Sequence, residues 1–445
     1  MVSKPNISTD TLTSLSAEFS VIIPTFNNPE MVLEIIDILG RQTLLPKEIV
    51  FCDSSSNNSI KDIVDQSNSK ILLTHLNLGK AYRFDRLLNT LFSIKLVKYL
   101  FPKFKIAQGR VFPYEASNFG AKVAHFEWLA FLDASTIPSP HWLNDYWNLI
   151  NTNNLDVVFG NTKYEANTSF QKLLHASIYG AKGHETAPGS IISKKQFLGG
   201  YQILEGVRSG GDIAWREKIK KNLKYSFPNK TYLTYKSLPK ELISCSKKFF
   251  IYQLYGSIIN IQNSVKDIYL GILLLLSIII VPKWNSLVGW ESSPLFIPNI
   301  TKVYLICILL VFLIALIFSK TFFQKIKHKT FLYWSIYLSF LISIFYIVLR
   351  WNLVIAGWVE TSIWFVPHIT KIFISTLFFF SILYRGLYFP ITHGIKMKYL
   401  FPFNWILVGL LGMYIDLIKS PGYAIGAIIS IFLKDHTKIS RQNGA

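Results

Sequence analysis

Apolar and polar positions are patterned in two different ways along this chain. Between about residues 20 and 240, apolar runs of strand length recur: Phe19–Pro24, Glu48–Cys52, Trp128–Leu132 and Asp156–Gly160. Stretches with helical spacing, such as Met31–Arg41 and Trp142–Ile150, lie between them. Strands separated by helices predict an α/β domain with a largely parallel sheet, because parallel neighbours need a long crossover connection.

Beyond about residue 265 the apolar runs lengthen and lose their charge. Ile268–Pro282 is charge-free over 15 residues, Val303–Ser319 over 17 and Thr330–Leu349 over 20. At about 1.5 Å per residue the last crosses a hydrocarbon core of about 30 Å, and the first two nearly do. Thr361–Tyr384 is a fourth candidate, interrupted by His368 and Lys371, which with Arg350 either snorkel or meet a lipid phosphate. Tyr399–Ile415 and Ser420–Leu433 read as a hairpin or as interfacial helices. Helices buried in one soluble core are the plainer alternative, but too many long runs would have to share that core. The pattern predicts about four spans.

Charge then sets an orientation. The 445 residues hold 46 Lys plus Arg against 26 Asp plus Glu, a net charge of +20, although only 16% are charged and 51% are hydrophobic. That combination excludes a disordered chain and argues against a wholly soluble one. Lys320, Lys325, Lys327 and Lys329 separate the second and third runs; Arg385, Lys396 and Lys398 follow the fourth; Lys434, Lys438 and Arg441 close the chain. The alternate loops carry Trp284, Trp290, Trp351, Trp358 and Trp364 instead. By the positive-inside rule, residues 1–260 then face the cytoplasm of an inner or plasma membrane. The first 20 residues lack the apolar region of a cleavable signal. The 80–105 insert mixes Arg83, Arg86, Lys95, Lys98, Lys103 and Lys105 with apolar residues, which suits an anionic leaflet or a solvated helix face equally. Cys52, Cys245 and Cys307 are too scattered for a disulfide set or a zinc site. No nucleic-acid motif accompanies the basic charge.

Candidate chemistry sits at the strand ends. Val21-Ile22-Ile23-Pro24-Thr25-Phe26-Asn27 and Glu48-Ile49-Val50-Phe51-Cys52-Asp53-Ser54-Ser55-Ser56 each end an apolar strand in small polar residues. In an open parallel sheet, ligands bind beyond those ends. The first strand is not followed by GxGxxG, which disfavours a dinucleotide site. Further on come Glu115-Ala116-Ser117-Asn118-Phe119-Gly120, then Phe131-Leu132-Asp133-Ala134-Ser135 and Pro138, His141-Trp142-Leu143. Pro188-Gly189-Ser190, Gly199-Gly200-Tyr201 and Gly210-Gly211-Asp212-Ile213-Ala214-Trp215-Arg216 follow.

The order of these pieces, over about residues 18–220, resembles the family 2 glycosyltransferases of GT-A fold, with their Asn-x-Gly helix, "FLDAD" strand end, "P-x-x-WL" and "ED-x-x-W-R". The resemblance implies an α/β domain with a Rossmann-like mixed sheet over 18–245, after a polar tail of 17 residues and before an all-α membrane domain over 246–445. It implies Pro24, Thr25 and Asp53 in a base and ribose pocket, and Asn118 beside the donor at the start of a helix. Asp133 becomes the first carboxylate of a DxD motif, Asp212 the general base, and Trp215 and Arg216 the acceptor side. On pattern alone Asp212 reads equally as a helix N-cap. His184-Glu185, before a Pro188-Gly189 turn, reads as structural or as reaching a diphosphate.

Three carboxylates of the family pattern are missing, at Ser135, Gly211 and Asn58. A hydroxyl is a poor ligand for Mg²⁺ or Mn²⁺, so Asp133 is left as a weak metal site and a divalent cofactor is in doubt. The expected activity is inverting transfer from a nucleotide-sugar to a lipid-linked or glycan acceptor in envelope glycan synthesis. The alternatives are a catalytically impaired binding or scaffold protein, a transporter with a nucleotide-binding domain, and a polysaccharide synthase, for which the Gln-x-x-Arg-Trp motif is missing.

Overall fold

Strand β1 (Phe19–Thr25) is buried along almost its whole length, as expected for a strand covered on both faces. The computed structural model describes residues 18–55, 57–78, 111–259, 261, 284–298, 360–361, 363, 365 and 378–432. The 80–105 insert, the apolar runs 268–282, 303–319 and 330–349, and most of 361–384 lie outside these residues. The chain divides into two units, Met1–Asn263 with Pro421–Ala445, and Ser264–Ser420.

In the first unit α1 (Pro29–Gly40) connects β1 to β2 (Glu48–Asp53), and α2 (Ser59–Gln66) connects β2 to β3 (Leu72–Asn77). Then come α3 (Pro113–Val123), β4 (Trp128–Phe131), β5 (Thr136–Pro138), α4 (Trp142–Asn153), β6 (Val157–Tyr164) and α5 (Ser169–Leu174), which runs into a π-turn at His175–Tyr179. They are followed by β7 (His184–Ser193), α6 (Lys194–Leu198), α7 (Gly211–Asn222), β8 (Tyr225–Ser226), β9 (Leu233–Tyr235) and α8 (Leu242–Ile258). The sheet order is β3-β2-β1-β4-β7-β6-β9-β5, with β8 beside β6. β3, β2, β1 and β4 are parallel, but β7 runs antiparallel to both β4 and β6. The sheet is therefore mixed: β3-β2-β1-β4 has the parallel order that the strand–helix alternation predicts, while beyond β7 the β6 strand pairs parallel with β8 and β9, and β9 antiparallel with β5.

Alternation along each strand feeds two cores. Val21, Ile23, Ile49 and Phe51 meet Val32, Ile35 and Leu39 of α1 and Trp142 and Tyr146 of α4. Ile22, Val50 and Cys52 face the other way, toward Ala116 and Ala121 of α3 and Trp215 of α7. Each fully buried Ile or Val contributes about 1.5–3 kcal/mol. Helix α3 lies close because Gly120 has no side chain: a Cβ there would come 2.4 Å from Cys52 Sγ and 2.6 Å from Ile22 Cγ2. The buried Glu48 accepts hydrogen bonds from Ser20, Thr74 and the His125 backbone N–H. Burial alone would raise its pKa, but these bonds and the His125 ring outweigh it and hold the carboxyl below its ordinary value.

The Pro188-Gly189 pair is not a turn. Both residues lie inside β7, where the β6–β7 register shifts between Val158 and Gly160. A Cβ at Gly160 would come 1.9 Å from the Pro188 carbonyl oxygen, so that bulge needs glycine. The Pro and Gly signal that suggests a turn in the sequence marks a strand irregularity instead.

In the second unit Asn285, within α9 (Trp284–Val288), clamps Ile297 through both its amide and carbonyl groups. A π-turn at Tyr384–Tyr388 leads into α10 (Phe389–Thr392) and α11 (Met397–Leu400). Tyr399–Ile415 and Ser420–Leu433 form neither a hairpin nor separate helices: α12 (Asn404–Phe432) runs through both with Pro421 inside it. The helix continues past Pro421, which removes one i→i−4 bond. Gly422 serves close packing, since a Cβ there would come 2.7 Å from the Phe250 carbonyl oxygen. Among the described residues α12 is the one helix long and apolar enough to cross a membrane, over the 23 residues Asn404–Gly426.

Candidate active site

The parallel register sets Thr25 beside Asp53 at the carboxyl ends of β1 and β2. Thr25 Oγ1 donates to Asp53 Oδ1 at 3.4 Å, the Ser55 backbone N–H to the same oxygen at 2.9 Å, and His75 Nε2 lies 3.2 Å from Oδ2. Asp53 is buried and fixed in orientation, yet a carboxylate offers about four lone-pair sites, so acceptor capacity is left for a ligand. His75 comes from β3, directly opposite Phe51 in register. Pro24 is half-buried beside Cys52. Asn27, with φ 50°, turns the chain away, and its backbone N–H donates to Ser55 Oγ at 2.7 Å.

The next strand end, after β4, carries Asp133-Ala134-Ser135 in a turn closed by the Thr136 N–H on the Asp133 carbonyl. Among the described residues nothing hydrogen-bonds the Asp133 carboxylate. Burial pushes its pKa up to about 6, the charge of Asp212 adds to this, and Lys248 opposes it. The Ser135 carbonyl accepts from the Lys236 backbone N–H at 3.1 Å, which sets the turn beside Tyr235 of β9.

Asp212 lies in the first turn of α7, whose N-cap is Gly210 (φ 82°). It is therefore not the cap that the pattern alone allows. Tyr114 donates its hydroxyl to Asp212 Oδ1 at 3.0 Å, and Arg216 Nη2 stands 3.6 Å from Oδ2. Arg216 Nη1 and Lys220 Nζ both reach Glu185 Oε1, at 3.2 and 2.7 Å. Oδ2 of Asp212 keeps a lone pair open, because 3.6 Å is too long for a strong hydrogen bond.

Asp53, Asp133 and Asp212 come from three separate places in the fold, and the Asp212 charge reaches Asp133. Asn118 sits elsewhere in its helix than expected, in the second turn of α3. Its amide donates to the Ile203 carbonyl at 2.7 Å and to Glu205 at 3.1 Å, and its oxygen accepts from the Ile203 N–H at 3.0 Å. It ties α3 to the 203–205 loop. Trp215, expected on the acceptor side, is a core residue: 2% exposed, packed edge-on to Phe131 and Phe159, with its indole N–H on the Tyr201 carbonyl. An aromatic i+3 from a helical Asp marks a buried face as readily as a binding face.

Sequence reading missed His75, Tyr114 and an aromatic wall around Lys248. Lys248 Nζ lies 3.4 Å from the Tyr235 hydroxyl and 5.0 and 5.5 Å from the rings of Tyr235 and Tyr252. Tyr164 packs 4.1 Å from Tyr179 and 5.5 Å from Tyr235, ring centre to ring centre. Burial pushes Tyr235 up to about 12, helped by the Asp133 charge. His184 spends Nε2 on the Tyr179 carbonyl at 2.6 Å. The i, i+4 spacing of Lys248 and Tyr252 on an apolar helix was the one available signal.

A divalent cation, which the DxD resemblance implies, would meet one carboxylate here, and the Ser135 hydroxyl where the second should be. Among the described residues no three His, Cys, Asp or Glu side chains are grouped to hold a metal ion. The donor set does not fit such a cation.

Residues 20–89 match the family model described as Glycosyl transferase family 2. The match includes Pro24, Thr25 and Asp53 and stops short of Asp133 and Asp212. No curated protein sequence matches the chain. Among solved structures, S. aureus TarS has 17% identity and a TM-score of 0.35, over 54% of this chain and 39% of that one. TarS 1-349 in complex with UDP-GlcNAc gives 18% and 0.36, over 54% and 65%. The mannosyltransferase PcManGT from Pyrobaculum calidifontis, in complex with GDP-Man and Mn²⁺, gives 14% and 0.36, over 54% and 62%. The chain spans less than two thirds of the length of each of these structures.

Proposed function

We infer that the chain is an inverting glycosyltransferase of family 2, with a GT-A domain over 18–245 and a membrane domain over 246–445. It takes a nucleotide-sugar donor and a lipid-linked or glycan acceptor at the cytoplasmic face of an inner or plasma membrane, in envelope glycan synthesis. The observation that carries this reading is Asp133 at the carboxyl end of β4 within reach of the Asp212 charge, in a chain whose first strands match the family model.

The geometry supports a division of labour. Asp53, oriented by His75 and Thr25, accepts hydrogen bonds from the base or ribose. Asp133 stands unpaired toward the ribose and diphosphate. Asp212 Oδ2 takes the proton of the acceptor O–H as that oxygen attacks the anomeric carbon; the Tyr114 hydroxyl fixes the other oxygen and so the direction of Oδ2. The anomeric C–O bond to the donor breaks, and the electron pair leaves with the diphosphate. Arg216, held by Glu185, adds positive charge beside the acceptor. Membrane anchoring raises the effective concentration of an amphiphilic acceptor.

The test is nucleoside-diphosphate release by the full chain in detergent with native lipid extract, across UDP-, GDP- and dTDP-sugars. Release with one donor, lost in Asp212→Asn, is expected. Absence of any nucleotide binding would instead favour the scaffold reading that Ser135 and Gly211 support.

A further inference from the structure

The place where the DxD motif lacks its second carboxylate is wired to a lysine. The Ser135 carbonyl accepts from the Lys236 N–H at 3.1 Å, Thr136 pairs with Tyr235 in register, and the Tyr235 hydroxyl lies 3.4 Å from Lys248 Nζ. Lys248 is delivered from α8, far along the chain from the motif, and is enclosed by the faces of Tyr235 and Tyr252. Among the described residues no carboxylate lies within ion-pair distance of it, and the Tyr235 hydroxyl uses only one of its three N–H donors. A half-buried ammonium set against two aromatic rings with no anionic contact is placed to take an anion. On the other side of the same turn stands the unbonded Asp133.

Resting on the glycosyltransferase reading, we propose that the Lys248 ammonium, rather than a divalent cation, binds the donor diphosphate and offsets the charge that develops on it as it leaves. In the transfer, the acceptor oxygen forms its bond to the anomeric carbon and gives its proton to Asp212. The anomeric C–O bond to the β-phosphate breaks, and the diphosphate departs with the electron pair against Lys248. No other co-reactant is required. Burial lowers the Lys248 pKa to about 8, with Cys245 and Asp133 opposing, so the ammonium form still prevails at pH 7. The disagreement between the family's metal motif and this donor set thus has a physical resolution: one fixed monovalent charge stands in for a mobile divalent one.

The experiment is calorimetric titration of the full chain in detergent with UDP, GDP, dTDP and their monophosphates, once in EDTA and once in Mn²⁺. The wild type is expected to bind one diphosphate in EDTA, with an affinity within about threefold of that in Mn²⁺. Losing one charge-assisted contact, Lys248→Met is expected to weaken that diphosphate by about 10- to 100-fold. Its monophosphate should change far less, and Lys248→Arg should restore most of the loss. The EDTA comparison needs no variant, so a misfolded Lys248→Met does not shield the idea. Diphosphate binding that demands Mn²⁺, or that Lys248→Met leaves unchanged, overturns the proposal while sparing the glycosyltransferase reading. A wild type that binds no nucleotide in either condition removes that reading, and the proposal with it.

Discussion

A side chain at Gly211 would place its Cβ 2.7 Å from Cδ2 of Tyr114. The ring therefore occupies the space beside α7 that a residue preceding Asp212 would otherwise fill, and from there its hydroxyl reaches Asp212 at 3.0 Å. This gives a reason why glycine stands where the sequence resemblance would put Glu before Asp212. Glycine at 211 and tyrosine at 114 make one device, in which a phenol rather than a neighbouring carboxylate controls the proposed base.

Restoring the family residue should consequently do harm. Gly211→Glu has to displace the Tyr114 ring and adds a charge beside Asp212. Overpacking of this kind costs about 1–3 kcal/mol. The expected outcome is a lower melting temperature together with loss of donor-dependent diphosphate release. Pairing it with Tyr114→Ala should recover most of the stability and little of the activity.

Asp133 is expected to weaken the fold it sits in. Burial, and then the Asp212 charge, raise its folded pKa from 3.8 to about 6, so the folded state holds its proton more tightly than the unfolded chain. Stability from this group is present below pH 3.8, is lost as pH rises toward 6, and the full penalty persists above that. Asp133→Asn mimics the protonated form and should raise stability above pH 6 by roughly 1–3 kcal/mol, from about 1.4 kcal/mol per pKa unit. The gain should fade near pH 4. Thermal melts across pH 4–8 check the sign; a variant destabilised at pH 7 would refute it.

His75 supports Asp53 without facing the proposed chemistry. With the imidazole removed, Oδ2 loses its partner at 3.2 Å and the carboxylate loses a fixed orientation. His75→Ala should weaken nucleotide affinity about 5- to 20-fold, the loss of one hydrogen bond to a charged group, and leave the turnover rate at saturating donor nearly unchanged. Such a split between affinity and turnover marks a positioning residue.

The parallel half of the sheet was legible because each of its strands is a short apolar run ended by a polar residue, as at Thr25 and Asp53. β3 was not, since its Leu72–Asn77 segment is only partly buried and mixes Thr74, His75 and Asn77 into the run. The antiparallel half was hidden for another reason: Pro188 and Gly189 imitate a turn within a strand. Of the candidate site, the three aspartates could be read because each ends or begins an element in a recognisable order. Tyr114 and His75 could not, because what brings them to the site is the pairing of distant segments, and Lys248 offered only its i, i+4 spacing from Tyr252. Trp215 shows the converse, where a motif position that looks like a binding residue is filled for packing.

In the second unit Arg385 and Asp416 form an ion pair. Arg385 Nη2 pairs with Asp416 Oδ2, and Asp416 is 5% exposed with Oδ1 left unbonded. Gly412 makes room, since a Cβ there would meet the Arg385 stem at 3.3 Å. Gly409 and Gly386 likewise allow backbone to approach backbone. Breaking such a pair from one side leaves a buried uncompensated charge, at a cost of about 3–5 kcal/mol, whereas replacing both partners by apolar residues is often neutral. Arg385→Met or Asp416→Leu alone should sharply lower the melting temperature in detergent. The double variant Arg385→Met/Asp416→Leu should come back to within a few degrees of the wild type. If the double variant is instead as unstable as the singles added together, the pair is not a closed unit, and one of its members must be serving a third partner.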